Sequence, residues 1–102
     1  LNKTFEYYSL SAEQGNSLAM GSLAYCHDHG VGTDVNETKA FEWYEKSANL
    51  GNYLAMYNVG ECYKDGTGEV TKDLRKARGW YTKAAAQGDE DAQAALDALN
   101  EQ

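Results

Sequence analysis

The chain has 102 residues, ten glycines, no proline and a formal net charge of −7, and this length fits one small domain. The negative charge excludes a nucleic-acid backbone or an anionic membrane as the main partner, because either would need a dominant basic face. No apolar run approaches the ~18 residues of a membrane-spanning helix.

Three segments share a pattern of lysine, alanine and aromatic residues that closes with glycine. Residues 3–15 read KTFEYYSLSAEQG, residues 39–51 read KAFEWYEKSANLG, and residues 76–88 read KARGWYTKAAAQG. Gly51 follows Gly15 by 36 positions, and Gly88 follows Gly51 by 37. Periods in this range are typical of solenoids built from helical hairpins, so we predict an all-α protein.

Each unit is predicted to contain a first and a second helix. In the first helices, apolar residues recur at four-residue spacing; in the second helices, alanines and aromatics recur at spacings of three and four. The predicted helices are 2–14, 17–28, 37–50, 53–64, 74–87 and 90–100. Their stripes comprise Ala19, Leu23 and His27, repeated as Ala55, Val59 and Tyr63, and Ala40, Trp43, Tyr44 and Ala48, repeated as Ala77, Trp80, Tyr81 and Ala85.

We expect these stripes to form the core, with Trp43 and Trp80 largely buried at equivalent sites between helices. The tyrosines Tyr8, Tyr44, Tyr63 and Tyr81 are predicted to belong to the same core. Tyr25, Tyr53 and Tyr57 lie off the stripes on first helices.

Turn residues divide the chain at regular points. A glycine followed by an N-cap residue joins successive units at Gly15–Asn16, Gly51–Asn52 and Gly88–Asp89. The turns within units, HGVGTDVN and DGTGEVTKD, each contain two glycines and end in a predicted N-cap. These caps are Asn36 and Asp73, and we place the extra residue of the longer turn at Glu69.

The repeated residues resemble the Sel1-like repeat family, in which an alanine, a Leu-Gly pair, a tyrosine, Gly-x-Gly-Val, an aspartate, Lys-Ala, Trp-Tyr, Lys-Ala-Ala and a glycine follow in order. The first unit departs from the pattern at Ala24, His27, Thr33 and Asn36. The second unit matches at Ala55, Val59, Gly60, Tyr63, Gly66, Gly68, Val70, Asp73, Lys76, Ala77, Trp80, Tyr81, Lys83, Ala84, Ala85 and Gly88.

The resemblance implies a right-handed α/α superhelix of antiparallel helix hairpins, similar to tetratricopeptide arrays. The domain would comprise a half-repeat (1–15), two full repeats (16–51 and 52–88) and a capping helix (89–102). The family resemblance also implies a non-enzymatic adaptor or scaffold that binds another protein or peptide. We expect a monomer without cofactors. A structural excerpt of a longer repeat array is an alternative.

The concave face is predicted from helix geometry. If the apolar stripe of each first helix packs on its partner helix, the residues that turn away from that stripe face the groove. An extended peptide or a short helix would suit such a surface. The predicted partner-binding residues are Gly21, Ser22, Tyr25, Asp28, Tyr57, Asn58, Glu61 and Lys64.

Other candidates for chemistry are weaker. Cys26 and His29 could approach one metal ion, but we predict no metal site, since His27 fills a core position and the second unit keeps no histidine. Cys26 and Cys62 hold equivalent positions in successive repeats, too far apart for a disulfide. Free thiols favour a reducing, cytoplasmic compartment.

The same family resemblance raises an enzymatic alternative, a hydrolase or β-lactam-binding module like the cysteine-rich bacterial relatives. Acyl transfer to a β-lactam uses a Ser-x-x-Lys pair on one helical turn, and no serine of this chain has a lysine three residues later. We predict no catalytic residues. Five basic residues, Lys72, Arg75, Lys76, Arg78 and Lys83, are predicted to form a solvated helix face rather than a phosphate or acidic-peptide site.

Overall fold

The computed structural model describes residues 2–101 and contains six α-helices and no strand within that range. Each helix boundary lies within one residue of its predicted position, so the predicted all-α architecture is confirmed. The helices are α1 (Asn2–Glu13), α2 (Ser17–His29), α3 (Glu37–Asn49), α4 (Tyr53–Asp65), α5 (Leu74–Ala86) and α6 (Glu90–Asn100).

The predicted N-caps begin every helix from α2 to α6. In each, a side-chain oxygen accepts hydrogen bonds from backbone N–H groups of the first turn, at 3.0 to 3.3 Å. These bonds satisfy donors that would otherwise lack a partner at a helix start. The caps are Asn16, Asn36, Asn52, Asp73 and Asp89.

Left-handed backbone at the turns explains their composition. The junction glycines Gly15, Gly51 and Gly88 have φ angles of 93°, 101° and 97°, which residues with a Cβ rarely adopt. Glu69 also has a positive φ, 67°, and it lies in the longer of the two turns within units. A non-glycine residue in this region is uncommon, and its position supports placing the inserted residue there.

The six helices stack in chain order into a solenoid. The main contacts of each helix are with the helices before and after it, and the described chain measures 43 × 25 × 18 Å. Nearest-neighbour packing of this kind is the defining property of repeat solenoids. No helix of the described residues is both long and apolar enough to cross a membrane.

The core follows the predicted stripes of small and aromatic residues. Tyr44 and Tyr81 are buried, as predicted, at equivalent positions of α3 and α5. The Tyr81 ring lies so close to α4 that a Cβ on Gly60 would come within 2.7 Å of a ring carbon. Glycine at that position therefore allows the two helices to approach closely.

The predicted burial of the other aromatics was too high. Tyr8 and Tyr63 are only partly buried, and so are Trp43 and Trp80, although the two tryptophans do occupy equivalent sites. Each tryptophan packs on the core while a lysine ammonium lies 4.7 Å from its ring centroid: Lys46 over Trp43 and Lys83 over Trp80. The rings thus lie at the boundary of the core, where a lysine stem can cover them.

Candidate functional site

A groove of about 540 Å³ opens on the face formed by α1, α2 and α4. Its walls combine exposed apolar side chains with a few hydroxyl and amide groups. The lining residues are Thr4, Tyr8, Leu18, Gly21, Ser22, Tyr25, Cys26, Val31, Tyr44, Asn52, Leu54, Ala55 and Asn58.

Three large apolar side chains on the walls remain exposed. Leu18 is 67% exposed, Leu54 is 54% exposed and Tyr25 is 52% exposed. Leu18 and Leu54 occupy the same position in successive first helices, directly after the N-cap turn. Apolar residues that recur at one exposed site and line one concavity form a patch of the kind that marks interaction surfaces.

The groove is open because the first repeat lacks the polar cluster that the second repeat has at the same positions. Gly21 in α2 occupies the position of Tyr57 in α4, and Tyr25 occupies the position of Glu61. The Tyr44 hydroxyl, on the groove floor, has no hydrogen bond to any described residue, although the side chain is only 4% exposed. The hydroxyl oxygen itself is reached by solvent in the groove, so it is available to a ligand.

In the second repeat the corresponding space is filled by a network around Glu61. The Tyr57 and Tyr81 hydroxyls each donate a hydrogen bond of 2.6 Å to the Glu61 carboxylate, and Lys64 Nζ lies 2.9 Å from Glu61 Oε2. Burial alone would raise the pKa of Glu61, but the hydrogen bonds from these three side chains lower it. Glu61 is therefore ionised and fully engaged at neutral pH.

The pKa values of Tyr57, Tyr81 and Lys64 shift upward, opposite to that of Glu61. The hydrogen bond to Glu61 is the main cause of a raised pKa at Tyr57, and burial is the main cause at Tyr81. The bond to Glu61 also raises the pKa of Lys64. Each of these groups thus keeps its proton, and the cluster is a stable set of three donors around one carboxylate.

A smaller acidic pocket of about 170 Å³ adjoins the groove, and Tyr44 and Asn58 line both. Asp28, Glu37 and Asp65 surround it together with Glu61. Within the described part of the chain, these three carboxylates have no lysine or arginine partner; Asp28 has only His29 Nδ1 at 3.9 Å. The pocket therefore has a negative potential beside an apolar surface.

The structure brings most of the predicted partner-binding residues together. Gly21, Ser22, Tyr25 and Asn58 line the groove, while Asp28 and Glu61 join Asn58 at the acidic pocket. Tyr57 and Lys64 line neither cavity, because both are held by Glu61. The sequence analysis missed Leu18 and Leu54, although an off-stripe leucine at the same position of both repeats was a visible signal. The role of all these residues in binding stays a prediction.

The cysteines are free thiols, as predicted, and both are buried. Burial raises the pKa of the Cys26 thiol, and burial together with nearby carboxylates raises that of Cys62 to about 12. Both therefore stay protonated at neutral pH and are poor nucleophiles. Among residues 2–101 no group of three or more histidine, cysteine, aspartate or glutamate side chains is arranged to hold a metal ion.

The predicted basic face lies on and just before α5, and its five residues are exposed. Three of them contact neighbouring side chains: Lys83 lies over Trp80, Lys76 lies 5.4 Å from the Tyr63 ring centroid, and Arg78 Nε donates to Asn100 Oδ1 at 3.3 Å. These contacts favour the interpretation as a solvated helix face.

Comparison with known families gives matches along most of the chain. The model of the Sel1 repeat matches residues 1–16, 17–52 and 54–89. A comparison with curated proteins found no match.

Several solved structures share this fold. A Sel1 repeat protein from Oxalobacter formigenes is 39% identical with a TM-score of 0.87, and the alignment covers 90% of this chain and 68% of that one. The protective antigen c5321 of uropathogenic Escherichia coli, which displays an SLR fold, is 36% identical with a TM-score of 0.85. The alignment covers 90% of this chain and 20% of that one. Cysteine-rich protein B of Helicobacter pylori is 26% identical with a TM-score of 0.83, and the alignment covers 90% of this chain and 68% of that one.

Proposed function

Because the chain belongs to the Sel1-like repeat family, whose members are generally protein-interaction modules, we propose that it binds a segment of another protein in the groove between α1, α2 and α4. The observation that carries this proposal is the exposed apolar lining of the groove beside the free hydroxyl of Tyr44. The proposed role is that of a non-enzymatic adaptor.

The dimensions of the groove suit a short segment rather than a large protein surface. A volume of about 540 Å³ lies within the usual range for a pocket that holds a few side chains. An extended peptide or one turn of a helix could place its anchoring side chains there, and the polar rim would supply hydrogen bonds. With few anchors, we expect an affinity on the order of micromolar for a single site.

The experiment compares two double variants in a pull-down with quantitative mass spectrometry. Leu18→Ser with Leu54→Ser removes the apolar walls at exposed positions, so the fold should be retained. Arg75→Glu with Arg78→Glu reverses charge on the exposed face of α5 as a matched control. We expect the proteins captured by the unmodified chain to be lost with the leucine variant and kept with the arginine variant. The opposite pattern would move the binding surface to α5.

The non-enzymatic part of the proposal has its own test. Both thiols are buried and protonated, which supports a role in packing rather than in nucleophilic chemistry. Purified chain mixed with a chromogenic β-lactam should give no hydrolysis above that of buffer. Turnover that rises in proportion to protein concentration would favour the enzymatic alternative.

A further inference from the structure

The groove and the acidic pocket together point to the chemistry of the partner. Resting on the proposed function, we propose that the bound segment carries an apolar side chain next to a lysine or arginine. The apolar side chain would lie between Leu18, Tyr25 and Leu54. The basic one would reach the carboxylates of Asp28 and Glu37.

The two cavities adjoin each other, which allows nearby side chains of one peptide to enter both. Tyr44 and Asn58 belong to the lining of each cavity. Successive side chains of an extended chain point to opposite sides, and residues two apart share a side, about 7 Å from each other. A pair of residues two positions apart can therefore span the boundary between the groove and the pocket.

The carboxylates of the pocket favour a cation over any other side chain. Glu61 already pairs with Lys64, whereas Asp28, Glu37 and Asp65 have no lysine or arginine partner among the described residues. An acidic side chain in the same place would meet like charges on several sides. Charge complementarity thus selects lysine or arginine, and it also disfavours acidic partners.

The Tyr44 hydroxyl offers the bound segment a further polar contact at this site. Its repeat counterpart, the Tyr81 hydroxyl, donates to Glu61 at 2.6 Å. Tyr44 lines both cavities instead, and its hydroxyl has no hydrogen-bond partner within residues 2–101 and is reached by solvent, although the residue as a whole is only 4% exposed. A hydroxyl at the boundary of the two cavities can accept a hydrogen bond from an ammonium or guanidinium group, or donate one to a peptide carbonyl.

The charge of the whole molecule acts in the same direction. A net charge of −7 attracts basic segments at long range and speeds their association at low ionic strength. Because the carboxylates are partly exposed, added salt should weaken the complex.

The test uses a phage-displayed library of random dodecapeptides selected on the folded, immobilised chain. We expect the selected peptides to share an aliphatic or aromatic residue within two positions of a lysine or arginine. Binding of synthetic versions would be measured by fluorescence anisotropy, once with the selected sequence and once with its basic residue replaced by alanine. The loss expected from that replacement is about tenfold, the size of one charge-assisted contact.

Variants of the protein test the contributions of the two cavities to binding separately. Asp28→Lys with Glu37→Lys should weaken the selected peptides by about tenfold or more, because like charges then meet. Glu6→Lys makes the same kind of charge change on the exposed side of α1 opposite Thr4 and Tyr8, and it should change binding by less than about twofold. Leu18→Ser with Leu54→Ser should remove binding.

The outcomes distinguish this inference from the function on which it rests. Selected peptides that lose binding with the leucine variant but lack a basic residue, or bind unchanged after charge reversal, would overturn the inference and leave the proposed function standing. Peptides that bind the leucine variant as tightly as the unmodified chain would overturn the proposed function as well. A selection that enriches no peptide would count against both.

Discussion

Glu61 shows how one side chain closes a site in one repeat that stays open in the other. Its carboxylate accepts hydrogen bonds from Tyr57 and Tyr81 and pairs with Lys64. The equivalent residue of the first repeat is Tyr25, which has no carboxylate and makes no hydrogen bond to Tyr44, so the Tyr44 hydroxyl remains available. Two exchanges of residue type, Tyr25 for Glu61 and Gly21 for Tyr57, therefore separate a candidate binding groove from a stabilising cluster.

Removing this carboxylate should destabilise the fold. Glu61→Ala leaves the fully buried Tyr81 hydroxyl without its acceptor, and we expect a loss of about 2 kcal/mol in the free energy of unfolding. The exposed Glu42→Ala variant is the control and should stay within about 0.5 kcal/mol of the unmodified chain. Urea denaturation followed by circular dichroism measures both. Equal stabilities for the two variants would mean that the Glu61 cluster contributes nothing.

His27 makes the stability of the chain depend on pH. It is buried at the position that Tyr63 occupies in the second repeat, and each packs edge-on against a phenylalanine: Phe5 with His27 at 5.5 Å and Phe41 with Tyr63 at 5.7 Å. Burial and the nearby Lys39 charge lower the pKa of His27 below its ordinary 6.5. The unfolded chain therefore binds a proton at a higher pH than the folded chain.

The sign of the effect follows from proton linkage. As the pH falls through 6.5, the unfolded state gains a proton first, so the melting temperature should decrease until the pH passes the folded-state pKa of His27. His27→Tyr, which copies the second repeat, should remove this part of the pH dependence, while substitution of the exposed His29 by Asn should not. Melting curves between pH 7.5 and pH 5, at steps of about half a unit, compare the three proteins. An unchanged profile in His27→Tyr would show that another group is responsible.

For single residues, the sequence predicted the side of the helix on which a side chain lies better than the residues that it contacts. Helical periodicity predicted that Gly21, Ser22 and Tyr25 share one side of α2, and all three line one cavity, because the direction of a side chain depends mainly on its place in the helix. It could not show that Tyr57 turns toward Glu61 instead of the groove, since that choice depends on rotamers and on a partner four residues away. Tryptophan burial was overestimated for a similar reason, because periodicity does not reveal which side chain covers a ring.

The junctions between successive repeats differ in their hydrogen bonding. The first junction compared is Gly51–Asn52, and the second is Gly88–Asp89. At the first junction, Ser47 Oγ donates to the Ser17 carbonyl at 2.5 Å, and Asn52 Nδ2 donates to Ser47 Oγ at 2.9 Å. At the second, Ala84 replaces Ser47 and Asp89 replaces Asn52. Asp89 Oδ1 still caps α6, but Oδ2 is buried without a hydrogen-bond partner among the described residues. The second junction therefore lacks a buried polar contact that the first one has.

Copying the first junction into the second should stabilise the chain. In Ala84→Ser with Asp89→Asn, the asparagine keeps the N-cap and gains a serine acceptor, so we expect the free energy of unfolding to rise by about 1 kcal/mol. The reciprocal change, Ser47→Ala, should lower it by a similar amount, about 1 kcal/mol. Urea titrations of the three proteins provide the values. A less stable double variant would indicate that the Asp89 charge at the start of α6 outweighs the missing bond.

The outer face of α6 differs from the faces that receive a following helix. Asp97 occupies in α6 the position of Gly60 in α4 and of Ala24 in α2. At Gly60 even a Cβ would collide with the Tyr81 ring, whereas Asp97 carries an exposed carboxylate that accepts a hydrogen bond from Gln93 Nε2 at 2.9 Å. We propose that α6 is a capping helix, since an exposed carboxylate lies at the position where α4 has a glycine under the Tyr81 ring. Capping helices with a polar outer face are common in solenoids.

Secondary structure was predictable at the element scale because its signals are local. Glycine followed by Asn or Asp fixed the starts of α2, α4 and α6, and Asn36 and Asp73 fixed those of α3 and α5. The open groove was harder to predict, because it depends on differences between the repeats and not on their shared pattern. An alignment of the two repeats shows these differences, since it pairs Gly21 with Tyr57 and Tyr25 with Glu61. Only the packing shows that Tyr57 and Glu61 fill the corresponding space in the second repeat.

For the whole molecule, nearest-neighbour stacking gives an elongated body with the groove on one side and the basic residues of α5 elsewhere on the surface. The extents of 43 × 25 × 18 Å agree with the elongated solenoid that the repeat period predicts. Such a body has a small core and a large surface, which suits binding to other chains. The negative net charge then favours basic partners over acidic ones.

Amide chemical shifts report, residue by residue, whether a peptide binds in the proposed site, the groove between α1, α2 and α4. The ¹⁵N-labelled chain would be titrated with a peptide selected on the unmodified protein, and each backbone amide followed. We predict that the largest shift changes cluster at Leu18, Ser22, Tyr25, Leu54 and Asn58, with little change at Arg75, Arg78 and Lys83. Changes concentrated on the exposed face of α5, with the groove amides unmoved, would contradict the proposed site.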